Sequence, residues 1–367
     1  MDWTKRARRA VLNMKPYIPG KPIEQVQREL GLDRVFKLAS NENPLGPSPR
    51  ALERVREVLS ESHRYPDDTY TSLRQALAQR LKVEPEMILL GRGSDEILLH
   101  IVQTFIEEGD RVVFSKPSFA MYDILSCLMG AQRIAVPLAG FRHDLKALAD
   151  VATPETKVLF LDSPNNPTGT IITNRELESF FDKIPEGPLL VLDEAYQEFV
   201  EADDYHDGVA YVKEGRPVIV LRTFSKAYGL AGFRIGYGIA DPELVRLIAR
   251  VREPFNVSSL AVAAALGALE DDDFLNQVRQ VVWNGKKRLY QKLNELGLFF
   301  VESQANFVLI DAGVDCREVS RRLQERGFIV RPCDIFGLPT CLRVDVAKED
   351  VMDQFVAALE QVLQSWR

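Results

Sequence analysis

The chain reads as an α/β protein with a large, mostly parallel-sheet domain and a smaller α+β domain. Strand and helix patterns alternate from Glu96 to Leu269. Three apolar runs in that stretch, reaching Asp162, Asp193 and Leu221, pass directly into polar loops, as parallel strands do at the edge of a ligand crevice. Beyond Leu269 the alternation gives way to strand, helix, strand, strand and helix, which suits a separate unit. A chain of 367 residues with 46% apolar side chains can bury a large core and, at the usual size, holds about two domains.

Taken in order, Glu96 to Glu108 reads as a helix, Arg111 to Phe114 as a strand, Met121 to Met129 as a helix and Arg133 to Val136 as a strand. The apolar strands Val158–Asp162, Leu189–Leu192 and Val218–Leu221 follow, then a strand over Arg234–Ile239 and helices over Pro242–Arg252 and Ser259–Leu269. In the second unit, Phe299–Ile310 reads as a strand, Cys316–Arg326 as a helix, Phe328–Arg331 and Cys341–Val346 as strands, and Asp350–Ser365 as a helix. No internal repeat, low-complexity stretch or Gly/Ser linker interrupts this order.

Lys226 is the residue with the most chemistry in its surroundings. It follows the run Val218–Leu221, stands among the hydroxyls of Thr223 and Ser225, and precedes Arg234 by eight residues. That arrangement offers an amine for a Schiff base and donors for a phosphate, the needs of a pyridoxal phosphate site. A lone lysine is usually a solvated surface charge, so the neighbouring strand ends matter. The run Leu189–Leu192 ends in Asp193, Glu194 and Tyr196, polar groups that an ordinary core strand avoids. The run ending at Asp162 leads into Ser163–Gly169 with Asn166 inside it. Three strand ends carrying Asn166, Asp193 and Lys226 can converge on one crevice. Gly93, Ser94 and Asp95 open the helix that starts near Glu96, where backbone N–H groups make an anion site.

Composition narrows the function. A net charge of −7 argues against a nucleic-acid partner. The segment Met1–Arg9 is basic, but no apolar region or small-residue cleavage site follows, and no run reaches the ~18 apolar residues of a membrane span, so the expected location is the cytoplasm. Cys127, Cys316, Cys333 and Cys341 are scattered without a C-x-x-C, which argues against disulfides and zinc. His63, His100, His143 and His206 are scattered too, and no metal is expected.

The runs SPNNPTG (163–169), VLDEAY (191–196) and RTFSKAYGLAGFRIGYG (222–238) resemble the fold type I pyridoxal phosphate aminotransferases, and within them the histidinol-phosphate aminotransferases. KLASNENPLGP (37–47), RYPD (64–67), GSDE (93–96), PFNV (254–257), SQANF (303–307) and Leu342–Arg343 extend the likeness over nearly the full chain. The resemblance implies pyridoxal 5'-phosphate as cofactor, held by Lys226, with Lys226 also moving the substrate's proton. Asp193 matches the carboxylate that keeps the pyridine nitrogen protonated. Asn166 and Tyr196 match the groups that hydrogen-bond the phenolic oxygen, and Phe119, with Tyr122 as the alternative, matches the aromatic on the ring. Gly93, Ser94, Asp95, Thr223, Ser225 and Arg234 match the cofactor's phosphate site. Tyr65 matches a tyrosine that reaches the site of the neighbouring subunit, which implies a homodimer. For the small-molecule substrates, a phosphorylated amine and a 2-oxo acid, the matches are Tyr17, Asn41, Arg331 and Arg343. The implied division is 31–265 for the large domain and 1–30 plus 266–367 for the small one.

Two departures from the pattern stand out. Ser163 replaces the first residue of the NPNNPTG motif. After Leu342–Arg343, where the family commonly continues to a Gly-Thr pair, this chain has Val344-Asp345-Val346-Ala347-Lys348, which bears on how Arg343 is presented. Arg92 stands where the family usually has asparagine and is given no role. The rival readings are an aromatic amino acid aminotransferase, which shares the cofactor residues, and a threonine-phosphate decarboxylase, which shares a phosphate pocket. An ATPase with Leu189–Glu194 as a Walker B strand fails for want of a G-x-x-x-x-G-K-[ST] loop. A transcription regulator with an aminotransferase-like domain fails for want of a DNA-binding module.

Overall fold

The computed structural model describes residues 1–14, 20–364 and 366; Tyr17 lies outside them. Twelve strands form among the described residues: β1 (Phe36–Leu38), β2 (Ile88–Gly91), β3 (Arg111–Lys116), β4 (Gln132–Pro137), β5 (Thr156–Asp162), β6 (Leu189–Asp193), β7 (Val218–Thr223), β8 (Gly236–Ile239), β9 (Phe300–Val301), β10 (Phe307–Asp311), β11 (Phe328–Pro332) and β12 (Cys341–Asp345). Seven make the larger sheet, in the order β2-β8-β7-β6-β5-β3-β4, parallel except for β8, which runs antiparallel to both neighbours. The other five make the order β1-β11-β12-β10-β9, in which β1 and β11 are parallel and the remaining pairs antiparallel.

The unbroken apolar strands are explained by helices on both faces of the larger sheet. Val158 and Phe160 of β5 pack with Ile97, Ile101 and Tyr122 from helices Ser94–Phe105 and Ala120–Met129. Leu159 and Leu161 face the other way, into a core with Leu148, Leu177 and Phe180 from helices Leu145–Val151 and Asn174–Phe181. Side chains that alternate in direction therefore find apolar surroundings on either side, which a one-sided sheet would not provide.

Several expected elements change in detail. The strand read over Phe299–Ile310 is two, β9 and β10. The chain between them turns back, with Gln304 N–H donating to Gly169 O at 2.8 Å and Ser303 N–H to Tyr290 Oη at 2.7 Å. Gly169 has φ 76°, and a Cβ there would lie 2.0 Å from Ser303 Oγ, so only glycine lets these loops close. The helix read over Pro242–Arg252 ends at Ile248 and continues as a 3-10 turn, Ala249–Val251.

The domain division also moves. Residues 36–38, expected in the larger unit, are strand β1 of the smaller sheet, where Phe36 stacks on Phe328 with centroids 5.3 Å apart. Val26, on helix Ile23–Leu30, packs with Ala39 and Ile329 of that same unit. The first residues do the opposite of what was expected. Arg8 donates to Leu128 O at 3.0 Å and helix Arg9–Leu12 lies against helix Ala120–Met129, so residues 8–12 pack on the larger unit. The long helix Asp272–Leu296 packs on helix Glu349–Gln364 and ties the two units together: Trp283 donates to Phe199 O at 2.9 Å and Arg279 to Glu198 O at 2.8 Å, just past the end of β6.

That end of β6 is braced from below. Glu194 is fully buried, with Arg222 of β7 at 2.8 Å and His206 Nε2 at 3.2 Å. Burial works to raise its pKa, but Arg222 and His206 hold it below the ordinary carboxylate value. Glu194→Gln leaves the buried Arg222 without its counter-charge and is expected to destabilise the fold by about 3 kcal/mol. Chemical denaturation at neutral pH checks this; an unchanged midpoint would show the network to be dispensable.

Candidate active site

The polar ends of β5, β6 and β7 meet over a cavity of about 260 Å³. Lys226, three residues beyond β7, projects into it from a tight turn and is partly buried. Its ammonium donates to Ser40 O at 3.1 Å and lies 5.8 Å from the centre of the Tyr196 ring. Burial, and then the nearby Arg343, lower its pKa to about 8. A lysine so placed is neutral for part of the time at physiological pH, as a nucleophile or a base must be.

Asp193, the last residue of β6, sits beneath the cavity and is 4% exposed. Its carboxylate accepts from Tyr122 Oη at 2.9 Å and from Ala195 N at 3.1 Å. Burial, then the charge of Asp162 on the adjoining strand, push its pKa up to about 7. Among the described residues no cation pairs with this carboxylate, and one would strongly favour its charged form. Tyr122, the alternative ring-stacking residue, is instead fully buried, stacks on Phe160 and supports Asp193 from behind. Phe119 lines the cavity and meets Tyr122 edge-on at 5.7 Å.

Asn166, Tyr196 and Asn41 form one cluster. The Tyr196 hydroxyl accepts from Asn41 Nδ2 at 2.7 Å and from Asn166 Nδ2 at 3.4 Å, and burial raises its pKa. Asp162 holds the Asn166 backbone by accepting its N–H at 2.8 Å. His143 in turn lies between Ser115 Oγ, at 2.7 Å, and Asp162 O, at 2.8 Å. Arg343 donates to Asn166 Oδ1 at 2.5 Å and to Ala39 O at 2.8 Å, and its guanidinium carbon lies 5.3 Å from the centre of the Phe307 ring.

At the opposite end of the cavity, helix Ser94–Phe105 starts with Gly93 at φ 78°. A Cβ on Gly93 would stand 2.7 Å from Arg234 Nη2, so this glycine keeps the helix start open beside the arginine. Arg234 reaches Ser225 Oγ at 3.4 Å and Asp95 at 3.6 Å, and Thr223 Oγ1 accepts from Ser225 N at 3.1 Å. Backbone N–H groups, two hydroxyls and a guanidinium thus collect where a phosphate could be held. The Arg92 side chain points away and pairs with Glu96 and Glu253, while its carbonyl accepts from Arg234 Nη2 at 3.4 Å.

Two expected site residues stand apart from the cavity. Tyr65 is 81% exposed and stacks on Phe255 with centroids 4.7 Å apart. Arg331 is not on the cavity wall, but it is buried and directly opposite Arg343 across the β11–β12 pair. Of the residues that were not anticipated from the sequence, one stands out. Asp345, two positions beyond Arg343 and therefore on the same strand face, accepts from Ser40 N at 2.9 Å and Asn41 N at 2.5 Å. That spacing was a readable signal.

The cavity's contents, an amine, a buried carboxylate and an anion cradle at three strand ends of a mostly parallel sheet, are those of a pyridoxal phosphate transferase. The family model described as aminotransferase class I and II matches residues 33–359, and the chain belongs to that family. Within it, the chain is similar to the histidinol-phosphate aminotransferases. It is 48% identical to that of Moorella thermoacetica, over 98% of this chain and 93% of that protein. It is also 48% identical to that of Symbiobacterium thermophilum, over 97% and 98%. The crystal structure of histidinol-phosphate aminotransferase from Sinorhizobium meliloti in complex with pyridoxal-5'-phosphate superposes with a TM-score of 0.91, at 32% identity over 99% of this chain and 98% of that one.

Proposed function

We propose that this protein transfers an amino group between L-histidinol phosphate and 2-oxoglutarate, giving imidazole acetol phosphate and glutamate, in histidine biosynthesis. The observation that carries the choice of substrates is the pair Arg343, on the cavity wall, and Arg331, its buried register partner on the adjacent strand, set back from that wall. One carboxylate needs one guanidinium. Two suit a dicarboxylate or a phosphate, taken in turn by the same pocket.

The residues present fit pyridoxal 5'-phosphate. Gly93, Ser94, Asp95, Thr223, Ser225 and Arg234 would hold its phosphate, Asp193 its ring nitrogen, Asn166 and Tyr196 its phenolic oxygen and Phe119 its ring face. When bound, the group supplies an aldehyde for the amine and a ring that accepts the electron pair left at the substrate's Cα. Lys226 would take the proton from the substrate's Cα onto its Nζ, a task suited to an amine whose pKa is brought down to about 8. Asp193 keeps its negative charge against the ring nitrogen. Arg343 and Asn41 would orient the carboxylate of the amino-acid partner, and Arg331 and Tyr17 the phosphate end of histidinol phosphate.

We further propose that the protein works as a homodimer in the cytoplasm, with Tyr65 completing the neighbouring subunit's phosphate site. Its exposed ring on Phe255 is available for such a contact. No helix among the described residues is long and apolar enough to cross a membrane.

The test is a single-turnover experiment on the cofactor-loaded protein, offered L-histidinol phosphate, phenylalanine, tyrosine or threonine phosphate separately, without an oxo acid. Fastest amination of the cofactor by histidinol phosphate is the expected result. Faster reaction with the aromatic amino acids would move the protein to aromatic amino acid transamination, and carbon dioxide from threonine phosphate would make it a decarboxylase.

A further inference from the structure

Asp345 holds the two backbone groups through which the reactive cluster is connected, though the chemistry described above assigns it nothing. It is 3% exposed. Its Oδ2 accepts the backbone N–H of both Ser40 and Asn41, at 2.9 and 2.5 Å. Ser40 O is the acceptor for the Lys226 ammonium, at 3.1 Å, and Asn41 Nδ2 is the donor to the Tyr196 hydroxyl, at 2.7 Å. Asn41 itself holds a left-handed backbone, φ 56°, a conformation that a side chain tolerates when its neighbours hold it in place. Asn306 Nδ2 secures the same residue from the other side, donating to Asn41 O at 3.0 Å. The second carboxylate oxygen, Oδ1, is buried without a hydrogen-bond partner among the described residues. A buried carboxylate with one oxygen committed to two backbone donors and the other to none is costly unless its charge is used.

We infer that Asp345 is a positioning residue of the transamination: its carboxylate anchors the Ser40–Asn41 backbone, and through it the amine of Lys226 and the hydroxyl of Tyr196, and its negative charge is what makes it act on that amine. The inference rests on Lys226 being the reactive amine. Asp345 also acts on that amine by charge. Lys226 faces Arg343, which works with burial to lower its proton affinity, and Asp345, Asp95 and Glu42, which raise it. Asp345 in turn faces Arg343, Lys226 and Glu42, while burial brings its own pKa up to about 6. The negative charge of Asp345 therefore stops burial and Arg343 from depressing the lysine further.

Two substitutions separate anchor from charge. Asp345→Asn keeps an oxygen for the two N–H groups and removes the charge; Asp345→Ala removes both. The readout independent of turnover is the pH dependence of Lys226 acylation by acetic anhydride in the cofactor-free full chain, followed by peptide mass spectrometry. D345N is expected to lower the Lys226 pKa by about one unit, so that labelling at pH 7 rises about fivefold. Asp353→Asn, which breaks a surface pair with Arg288, is the control and should shift nothing. In the holoenzyme, D345A is expected to lower kcat about tenfold or more with KM little changed, because the anchored groups move off line, and D345N to recover most of that loss. A Lys226 pKa in D345N within about 0.3 of the wild type overturns the inference. So does a D345A enzyme with wild-type kcat and only a reduced melting temperature. Should D345A fail to fold, the D345N titration decides alone. The transaminase reading survives either negative, since it is judged by wild-type turnover of histidinol phosphate.

Discussion

Replacing Lys226 with alanine is expected to lower turnover by roughly 10⁴-fold, the loss that follows when an essential proton-transfer group is removed. The same change removes the amine that would bind the cofactor covalently. Borohydride reduction of the loaded protein, followed by mass spectrometry, should therefore add the cofactor's mass to a peptide containing Lys226 in the wild type and to none in K226A. The fold should survive, because among the described residues the ammonium makes one hydrogen bond, to Ser40 O, and belongs to no buried ion pair. Unchanged cofactor attachment and turnover in K226A would sink the functional reading from its root, since every other assignment is placed relative to this amine.

Asp193→Asn is expected to move activity and stability in opposite directions. Activity falls by about 10²–10³-fold, because a preorganised charge held against the cofactor's ring nitrogen is lost while its shape remains. Stability of the cofactor-free protein at pH 8 rises. The Asp193 carboxyl has its pKa raised from 3.8 to about 7 by burial and by Asp162. Between those values the folded carboxyl keeps a proton that the unfolded one has released, so rising pH draws the protein toward the unfolded state. Asparagine carries no such cost and should stabilise the cofactor-free fold at pH 8 by on the order of 2 kcal/mol. The gain should shrink toward pH 5, where the wild-type carboxyl is protonated. Melting curves at the two pH values, beside holoenzyme kinetics, check both halves. A less stable D193N at pH 8 would mean that its bonds to Tyr122 and Ala195 outweigh the buried charge.

The residues legible in the sequence share one property: their meaning is local. Asp193 and Asn166 announce themselves because a polar group directly after an apolar strand has few structural reasons to be there. Lys226 does so through Thr223, Ser225 and Arg234 within eight residues of it. Helix Asp272–Leu296 is equally local, with Leu275, Val278, Val282, Leu289 and Leu293 on one stripe, but its signal is weaker. Charged residues fill its other faces and lower its mean hydropathy, so the stripe shows only when spacing is counted.

By itself, the sequence determined the alternation of strands and helices, the three polar strand ends and hence the kind of chemistry. Periodicity and strand ends are written into residues a few places apart. Tertiary structure alone decided where residues far apart in the chain meet. The β1–β11 pairing moved residues 36–38 into the smaller sheet, and the β11–β12 register set Arg331 opposite Arg343. Tyr122 became the partner of Asp193 by packing across 71 positions, and Asp345 reached Asn41 across 304. Register and packing are settled by the whole core closing at once, so a carboxylate's partners can be read only after the chain has brought them together.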